Sequence, residues 1–293
     1  IEILDPIGGY FELSFGGRSI VCRESLSEMT SAIAMSRCDD KSTTHRVLRQ
    51  AGLHVPAQIK VETEQLALEF LEQYHSVVVK PARGEQGAGI SVDVSNADAL
   101  RAAIEQARKF SDSVILEEFI DGDDLRIIVI GNEVVAAAIR KPAEITGNQK
   151  DTVKTLIEKK SRRRAAATGG ESRIPLDRET ERCVREAGYT YDSILEENKR
   201  LVVRRAANLH TGGTIHDVTD RLHPTLRQAA IDAARAIDIP VTGLDFIVPA
   251  VDQPEYAIIE ANERPGLANH EPQPTAERFI DLLFPQTAVR NNK

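Results

Sequence analysis

Two β-branched apolar segments, at residues 125–130 and 134–139, are separated by a Gly131-Asn132 turn. This turn is typical of a β-hairpin, because both residues accept the positive φ angles that a tight hairpin needs. Two further strands are predicted at residues 244–248 and 256–261, again too close together for a helical crossover. Such spacing favours α+β units with mainly antiparallel sheets over one doubly wound parallel sheet.

Helices are predicted between these strands from capping residues and apolar spacing. The opening residues, to about Ser36, show no clear pattern. The predicted helices run from Asp39 or Asp40 to Gly52, from Thr63 through Leu71, from Asn96 to about Phe110, through most of 152–197 with a break at 168–170, over Pro224–Ile237, and from Thr275 to Phe284.

Composition excludes several classes of protein. The 293 residues carry a net charge of −8, whereas nucleic-acid binders normally have an excess of Lys and Arg. No apolar run approaches the roughly 20 residues that cross a bilayer. Cys22, Cys38 and Cys183 are too few and too widely spaced for a disulfide framework or a zinc site. Free thiols suggest the reducing cytoplasm.

Two acidic residues occupy the strands that form the predicted C-terminal hairpin. A turn centred on residues 251–253 places Asp245 nearly opposite Glu260, and Asn262 shares the face of Glu260. Opposed carboxylates destabilise a sheet. A bound cation would resolve this conflict, and oxygen-only ligands suit Mg²⁺. The alternative is that one of the carboxylates points to solvent.

A glycine-rich turn follows an apolar strand that ends at Lys80. Gly84, Gly87 and Gly89 allow the close backbone approach by which loops hold phosphate. The Lys precedes the glycines, so the pattern is not a P-loop, and a strand rather than a helix is predicted next, which argues against a dinucleotide fingerprint. A plain hairpin explains the segment equally well.

The strand at residues 114–118 leads into an acidic turn at 121–124. Adenine could lie along this strand, with a carboxylate on the ribose; the alternative is an acidic surface turn. Arg126 and Arg140 lie on the flanking strands, either as surface ion pairs or as phosphate ligands. A basic cluster at residues 159–164 is either a solvated helix end or an anion-binding loop.

The order of these features resembles the ATP-grasp superfamily over about residues 36–285. The resemblance implies an ATP-grasp fold, in which two α+β subdomains clasp ATP, and Mg²⁺ as cofactor. It assigns the ATP-contacting residues as Lys41, Lys80, Gly84, Gly87, Gly89, Glu117, Glu118, Ile120 and Asp124, and the magnesium ligands as Asp245, Glu260 and Asn262.

The resemblance also implies boundaries and catalytic roles. Residues 1–35 form an N-terminal segment, about 76–140 the ATP-clasping subdomain, about 141–285 the metal and substrate subdomain, and 286–293 a tail. The implied catalytic residues are Arg140, Lys80 and Asn208. The D-alanine ligase branch has an Arg at the position of Gly243, so we expect Arg140, Arg204 or Arg205 to supply that charge.

Three segments, at residues 161–164, 167–173 and 262–272, are similar to N-acetylglutaminylglutamine synthetases, and the loop at 207–220 is similar to cyanophycin synthetases. The expected function is therefore ATP-dependent ligation of a carboxylate to an amine through an acylphosphate, with N-acetylglutaminylglutamine or its amide as the product. Expected partners are amino-acid or dipeptide substrates and an acetyltransferase domain, with oligomers possible. The alternatives are a cyanophycin-synthetase-like amino-acid ligase, a kinase-like phosphotransferase and a non-catalytic ATP-binding module.

Overall fold

The structure is a computed structural model that describes residues 1–83, 89–170, 172–270 and 272–288. It divides into two compact units. Unit 1 comprises Ile1–Ile139 and Asp217–Lys293, and unit 2 comprises Arg140–His216. In the described part of the chain, each helix is too short or too polar to cross a bilayer.

The secondary structure mixes short strands and helices. The strands are β1 (Glu2–Asp5), β2 (Tyr10–Phe15), β3 (Arg18–Arg23), β4 (Leu26–Ser27), β5 (Gln58–Lys60), β6 (Val77–Pro81), β7 (Ser91–Val94), β8 (Val114–Glu118), β9 (Asp123–Ile130), β10 (Glu133–Lys141), β11 (Glu144–Thr146), β12 (Arg200–Val202), β13 (Thr214–Asp217), β14 (Val241–Val248) and β15 (Ala257–Asn262). The helices are α1 (Ala32–Asp39), α2 (Lys41–Gln50), α3 (Glu64–Tyr74), α4 (Ala97–Arg108), α5 (Val153–Ala167), α6 (Arg178–Glu186), α7 (Pro224–Ile237) and α8 (Thr275–Leu283).

The N-terminal segment forms an antiparallel sheet in the order β1-β2-β3-β4. Its buried side chains, Leu13, Ile20 and Cys22, pack against Phe279 and Leu283 of α8. The sequence showed no clear pattern here because the strands are short, bury only a few residues each, and rely on a helix distant in sequence.

A second antiparallel sheet has the order β5-β8-β6-β7. Helices α3 and α4 contribute Phe70, Leu71, Leu100 and Ile104 to its core. Thr63 and Asn96 cap these helices by accepting hydrogen bonds from the third residue along, as predicted from the sequence.

The third sheet has the order β13-β10-β9-β14-β15 and packs against α1, α2 and α7. β14 lies between β9 and β15 and is antiparallel to both. The strands predicted for the ATP-clasping subdomain, residues 76–140, are therefore divided. β6, β7 and β8 belong to the second sheet, whereas β9 and β10 belong to the third, because β9 pairs with β14 from late in the chain and β10 pairs with β9.

Unit 2 has its own core around α5, α6 and the β11–β12 pair. The region predicted to be mostly helical from 152 to 197 contains two helices, and α6 ends at Glu186. Tyr189 and Tyr191 pack against this core from the irregular segment that follows. β12, at Arg200–Val202, follows this segment and pairs with β11.

Candidate functional site

The predicted opposition of two carboxylates is confirmed by the strand register. Asp245 of β14 pairs with Glu260 of β15, and Gly243 pairs with Asn262. The register shifts directly after Asp245, because Phe246 pairs with Ile258 and Ile259 is the extra residue. Such bulges re-aim side chains and are frequent next to functional sites.

Asp245 is held from its other side by Arg126 of β9, which is its register partner in that strand. The Arg126 guanidinium donates from Nε to Oδ1 and from one terminal nitrogen to Oδ2, the latter over 3.1 Å. Both side chains are largely buried, at 15% and 11% exposure. This two-pronged geometry is the strong form of a charge-assisted pair.

Lys41 compensates the second carboxylate. Its Nζ lies 2.9 Å from Glu260 Oε1, and its side chain is only 6% exposed. Asp40 caps α2 by accepting from Thr43 N, which places Lys41 in the first turn. The Lys41 backbone N–H donates to Ala82 O, two residues beyond Lys80. Lys41 therefore connects the metal-ligand candidates to the strand that precedes the glycine-rich turn.

These pairs correct one step of the sequence argument. Carboxylate repulsion predicted a cation between Asp245 and Glu260, whereas Arg126 and Lys41 already neutralise the two charges. Repulsion alone therefore does not require a metal, and the case for one depends on the donor atoms. Asn262 donates its amide to Gly243 O at 3.1 Å, which leaves its Oδ1 as an acceptor.

The donor set fits Mg²⁺. Two carboxylates and one amide oxygen lie on adjacent strands, and a carboxylate that accepts two hydrogen bonds keeps further lone pairs. Asn262 also lies 3.5 Å from Asp245 Oδ2 through its amide nitrogen, so Asp245 and Asn262 are in contact. In the described residues no cluster of three His, Cys, Asp or Glu side chains forms an alternative metal site.

A positive charge that the sequence did not assign to this place, that of Arg126, lies beside Gly243. A Cβ at Gly243 would lie 3.0 Å from Arg126 Nη1 and 2.9 Å from the Pro265 Cβ, so the absent side chain makes room for the guanidinium. The expectation that Arg140, Arg204 or Arg205 fills this place stays a prediction. Arg204 Nη1 lies 2.9 Å from Asp177 within unit 2.

Arg205 likewise pairs with Glu186, over 3.1 Å. Arg140 lies half-buried at the end of β10, in unit 2. Asn208 accepts a hydrogen bond from His210 N over 2.8 Å and so caps the short 3₁₀ turn Leu209–Thr211. That contact gives Asn208 a structural role in the loop, and a catalytic role for Arg140 or Asn208 stays a proposal.

A second buried ion pair joins Lys80 to Glu117 on neighbouring strands. Both side chains are 4% exposed. Gln58 of β5 donates to the other Glu117 oxygen over 2.7 Å. Glu118 is occupied differently, since its carboxylate accepts from Ala57 N over 3.2 Å. β8 is flanked on both edges by β5 and β6, and the Phe119 N–H just beyond it donates to Ser76 O over 3.2 Å.

Gly84 and Gly87 lie outside the described residues. Gly89 has a φ of +74°, and a Cβ there would lie 2.6 Å from the Phe110 ring, so only glycine fits. Ile120 is half-buried after β8, and Asp124 pairs with Ile247 in the β9–β14 ladder. Asp124 therefore belongs to the same sheet as Asp245.

The three thiols are buried and free, as the sequence predicted. Burial, together with the charges of Glu263 and Glu260, raises the pKa of Cys38 to about 12. A protonated thiol is a poor nucleophile. Cys38 is therefore excluded as a nucleophile despite its closeness to the carboxylates.

The sequence pointed to the acidic residues and lysines of the site, but not to all of the residues that pair with them. Arg126 was noticed but not assigned to Asp245, because its strand precedes β14 by more than a hundred residues and the pairing is non-local. Gln58 went unnoticed because a lone Gln on a three-residue strand carries no pattern. An Arg at a strand position that faces an acidic residue was the one available signal.

Part of the chain matches a known domain family, and most of the chain is similar to known ligases and synthetases. The RimK-like ATP-grasp domain model matches residues 38–153. Cyanophycin synthetase of Nostoc sp. is 31% identical over 290 residues, which cover 94% of this chain and 32% of that protein. The glutathione biosynthesis bifunctional protein GshAB of Pasteurella multocida is 29% identical over 308 residues, 97% of this chain and 40% of that protein.

Solved structures show the fold. A bifunctional glutathione synthetase from Pasteurella multocida has a TM-score of 0.67 at 26% identity, over 97% of this chain and 41% of that one. D-alanine–D-alanine ligase from Bacillus anthracis has a TM-score of 0.55 at 14% identity, over 88% of this chain and 70% of that one. The chain spans about a third of the cyanophycin synthetases and two fifths of GshAB. We conclude that this chain has the ATP-grasp fold and that its residues 38–153 are similar to the RimK-like ATP-grasp domain.

Proposed function

We propose that this chain is an ATP- and Mg²⁺-dependent ligase that joins a carboxylate to an amine. One observation carries the proposal: Asp245, Glu260 and Asn262 present oxygen donors on adjacent strands, with Lys41 bound to Glu260. This combination of metal donors and buried cations is what phosphoryl transfer needs, because its catalysis consists mainly of positioning and charge stabilisation.

The proposed reaction has two steps. A carboxylate oxygen of the acid attacks the γ-phosphorus of ATP, the bond to the bridging oxygen breaks, and ADP leaves. The amine nitrogen then attacks the acyl carbon of the acylphosphate, the carbon–oxygen bond to phosphate breaks, and the nitrogen gives up a proton. The products are an amide, ADP and phosphate.

The residues of unit 1 have two proposed roles, metal binding and stabilisation of phosphate charge. Asp245, Glu260 and Asn262 would hold Mg²⁺, which supplies charge neutralisation at phosphate oxygens when bound. Lys41 and Lys80 are buried cations that pair with carboxylates. Phosphate would compete for these ammonium groups, and both lysines would then stabilise charge on the transferred group.

We assign N-acetylglutamine and glutamine amide as substrates on the motifs at residues 161–173 and 262–272. A second candidate is a cyanophycin-synthetase-like amino-acid ligase, which the identity to the Nostoc protein supports. Both candidates require ATP, Mg²⁺, an acid and an amine, so they differ only in which acid and which amine they join.

The test is phosphate release from ATP and Mg²⁺, with N-acetylglutamine and glutamine amide supplied together and separately. The proposal predicts release that requires both compounds and a condensed product by mass. Release with aspartate and arginine instead would favour the second candidate. ADP formation with the acid alone, without an amine requirement, would favour a phosphotransferase. ATP binding without turnover for any acid–amine pair would contradict the ligase.

The matched variants are Asp245→Asn and Asp252→Asn. Asp245 is a proposed metal ligand, whereas Asp252 lies exposed in the turn between the same two strands. We expect the first variant to lose phosphate release and the second to retain it. Equal activity of the two variants would remove Asp245 from the site.

A further inference from the structure

A basic cavity lies wholly within unit 2, apart from the residues assigned above to ATP and Mg²⁺. Its volume is about 560 Å³, within the usual range for small-molecule pockets. Lys159, Lys160, Arg163 and Arg164 of α5 line it, together with the single carboxylate Asp151. Four cations facing one carboxylate leave the cavity strongly positive.

Helix geometry brings the four cations together. Lys159 and Arg163 are four residues apart on α5, and so are Lys160 and Arg164, which places each pair on one side of the helix. Like charges at this spacing destabilise a helix. Their arrangement is therefore costly unless an anion is bound.

In the part of the chain that the structure describes, one of the four cations pairs with a carboxylate. Lys159 pairs with Asp151 over 2.7 Å. Arg164 is held by neutral groups, the Ser172 hydroxyl at 3.4 Å and the Gly213 carbonyl, which fix its guanidinium without cancelling its charge. Among the described residues, no carboxylate lies within ion-pair distance of Lys160 or Arg163.

Lys160 shows the cost of this arrangement. Burial lowers the pKa of the half-buried Lys160, the charges of Arg164 and Arg200 lower it further, and Glu144 opposes them. Glu144 itself lies 3.7 Å from Arg200. An oxyanion in the cavity would raise the pKa of Lys160, because a negative charge favours the charged ammonium. It would also accept hydrogen bonds from the planar guanidinium groups.

We propose that this cavity binds the oxyanion group of a small molecule, either a carboxylate or a phosphate. The size of the cavity and the net charge of −8 for the whole chain favour a small anion over a nucleic acid. Arg163 and Arg164 belong to the segment on which the substrates were assigned, so the identity of the anion rests on the proposed ligase function, whereas the site uses none of the residues assigned to ATP or Mg²⁺.

The test is calorimetric titration of the whole chain, without ATP or Mg²⁺ and at constant ionic strength. The probes are inorganic phosphate, N-acetylglutamine, which carries a carboxylate, and glutamine amide, which carries none. We expect saturable binding of phosphate or N-acetylglutamine, and whichever binds more tightly identifies the source of the oxyanion. Glutamine amide should not bind in this cavity.

Variants locate the binding. Lys160→Met and Arg163→Met should each weaken binding of the oxyanion about tenfold, because each removes one charge-assisted hydrogen bond. Lys154→Met is the matched control, because Lys154 is exposed on α5 and does not line the cavity. Thermal stability of Lys160→Met without anion should equal or exceed that of the parent, since a repelling charge is removed.

Two results would overturn the proposal. One is the absence of binding by both phosphate and N-acetylglutamine at millimolar concentration. The other is binding that all three variants leave equally strong, which would place the anion elsewhere, for example at Lys41 and Lys80. Neither result depends on turnover, so the ligase proposal is tested separately by phosphate release.

Discussion

Replacing Arg126 with Met should destabilise the protein strongly and make its stability depend on Mg²⁺. The substitution leaves the Asp245 carboxylate, 11% exposed, without its two-pronged partner. Breaking a buried ion pair on one side costs about 3–5 kcal/mol. For a protein of this size that corresponds to a fall in Tm of roughly 6–20 °C.

Mg²⁺ should recover part of this loss. If Asp245 is a metal ligand, a cation can replace the positive charge of Arg126, and saturation at 100 times Kd contributes about 2.7 kcal/mol. The assay is thermal unfolding followed by circular dichroism, because the chain has no Trp. Each variant is measured in EDTA and in excess Mg²⁺.

Arg101→Met is the matched control, since Arg101 pairs with Glu64 on the surface at 48% and 60% exposure. Solvent screens that exposed pair, so its loss should destabilise the protein far less and show no Mg²⁺ dependence. The double variant Arg126→Met/Asp245→Asn should be more stable than the sum of the single losses predicts. An Arg126→Met loss no larger than that of Arg101→Met would refute the reasoning.

Three further outcomes follow from the structure. Gly243→Ala should cost about 1–3 kcal/mol by urea unfolding, because its Cβ would meet Pro265 at 2.9 Å, whereas Gly266→Ala should cost less because it meets only a flexible side chain. Native protein at pH 8 should resist iodoacetamide and unfolded protein should take up three labels, because burial raises the pKa of the thiols to about 11, 12 and 11 at Cys22, Cys38 and Cys183. Free thiols titrate at about 8.5, so the unfolded chain loses these protons at lower pH than the folded protein does. The free energy of unfolding should therefore fall as pH rises from about 8.5 towards 11, and it should fall less steeply in Cys38→Ala.

Local signals predicted much of the fold. The Gly131-Asn132 hairpin and the caps at Thr63 and Asn96 depend on residues near in sequence, and the structure confirms them. The opposition of Asp245 and Glu260 followed from counting residues through one turn. Each of these features can be predicted without knowing which distant strands pair.

Non-local packing accounts for what the sequence could not predict. The N-terminal sheet depends on α8, and the grouping of β9 and β10 depends on β14. For the same reason, charge compensation at the carboxylates was assigned to a metal, although Arg126 and Lys41 supply it from other elements. Strand order in a sheet decides both the subdomain grouping and the ion pairs.

The most direct test of the ligase account follows an oxygen atom. The acid that supports phosphate release is prepared with oxygen-18 in its carboxylate, and the released phosphate is analysed by mass spectrometry. Activation through an acylphosphate predicts one labelled oxygen in each phosphate, because the attacking carboxylate oxygen leaves with phosphorus. Amide formation that releases unlabelled phosphate would contradict the account.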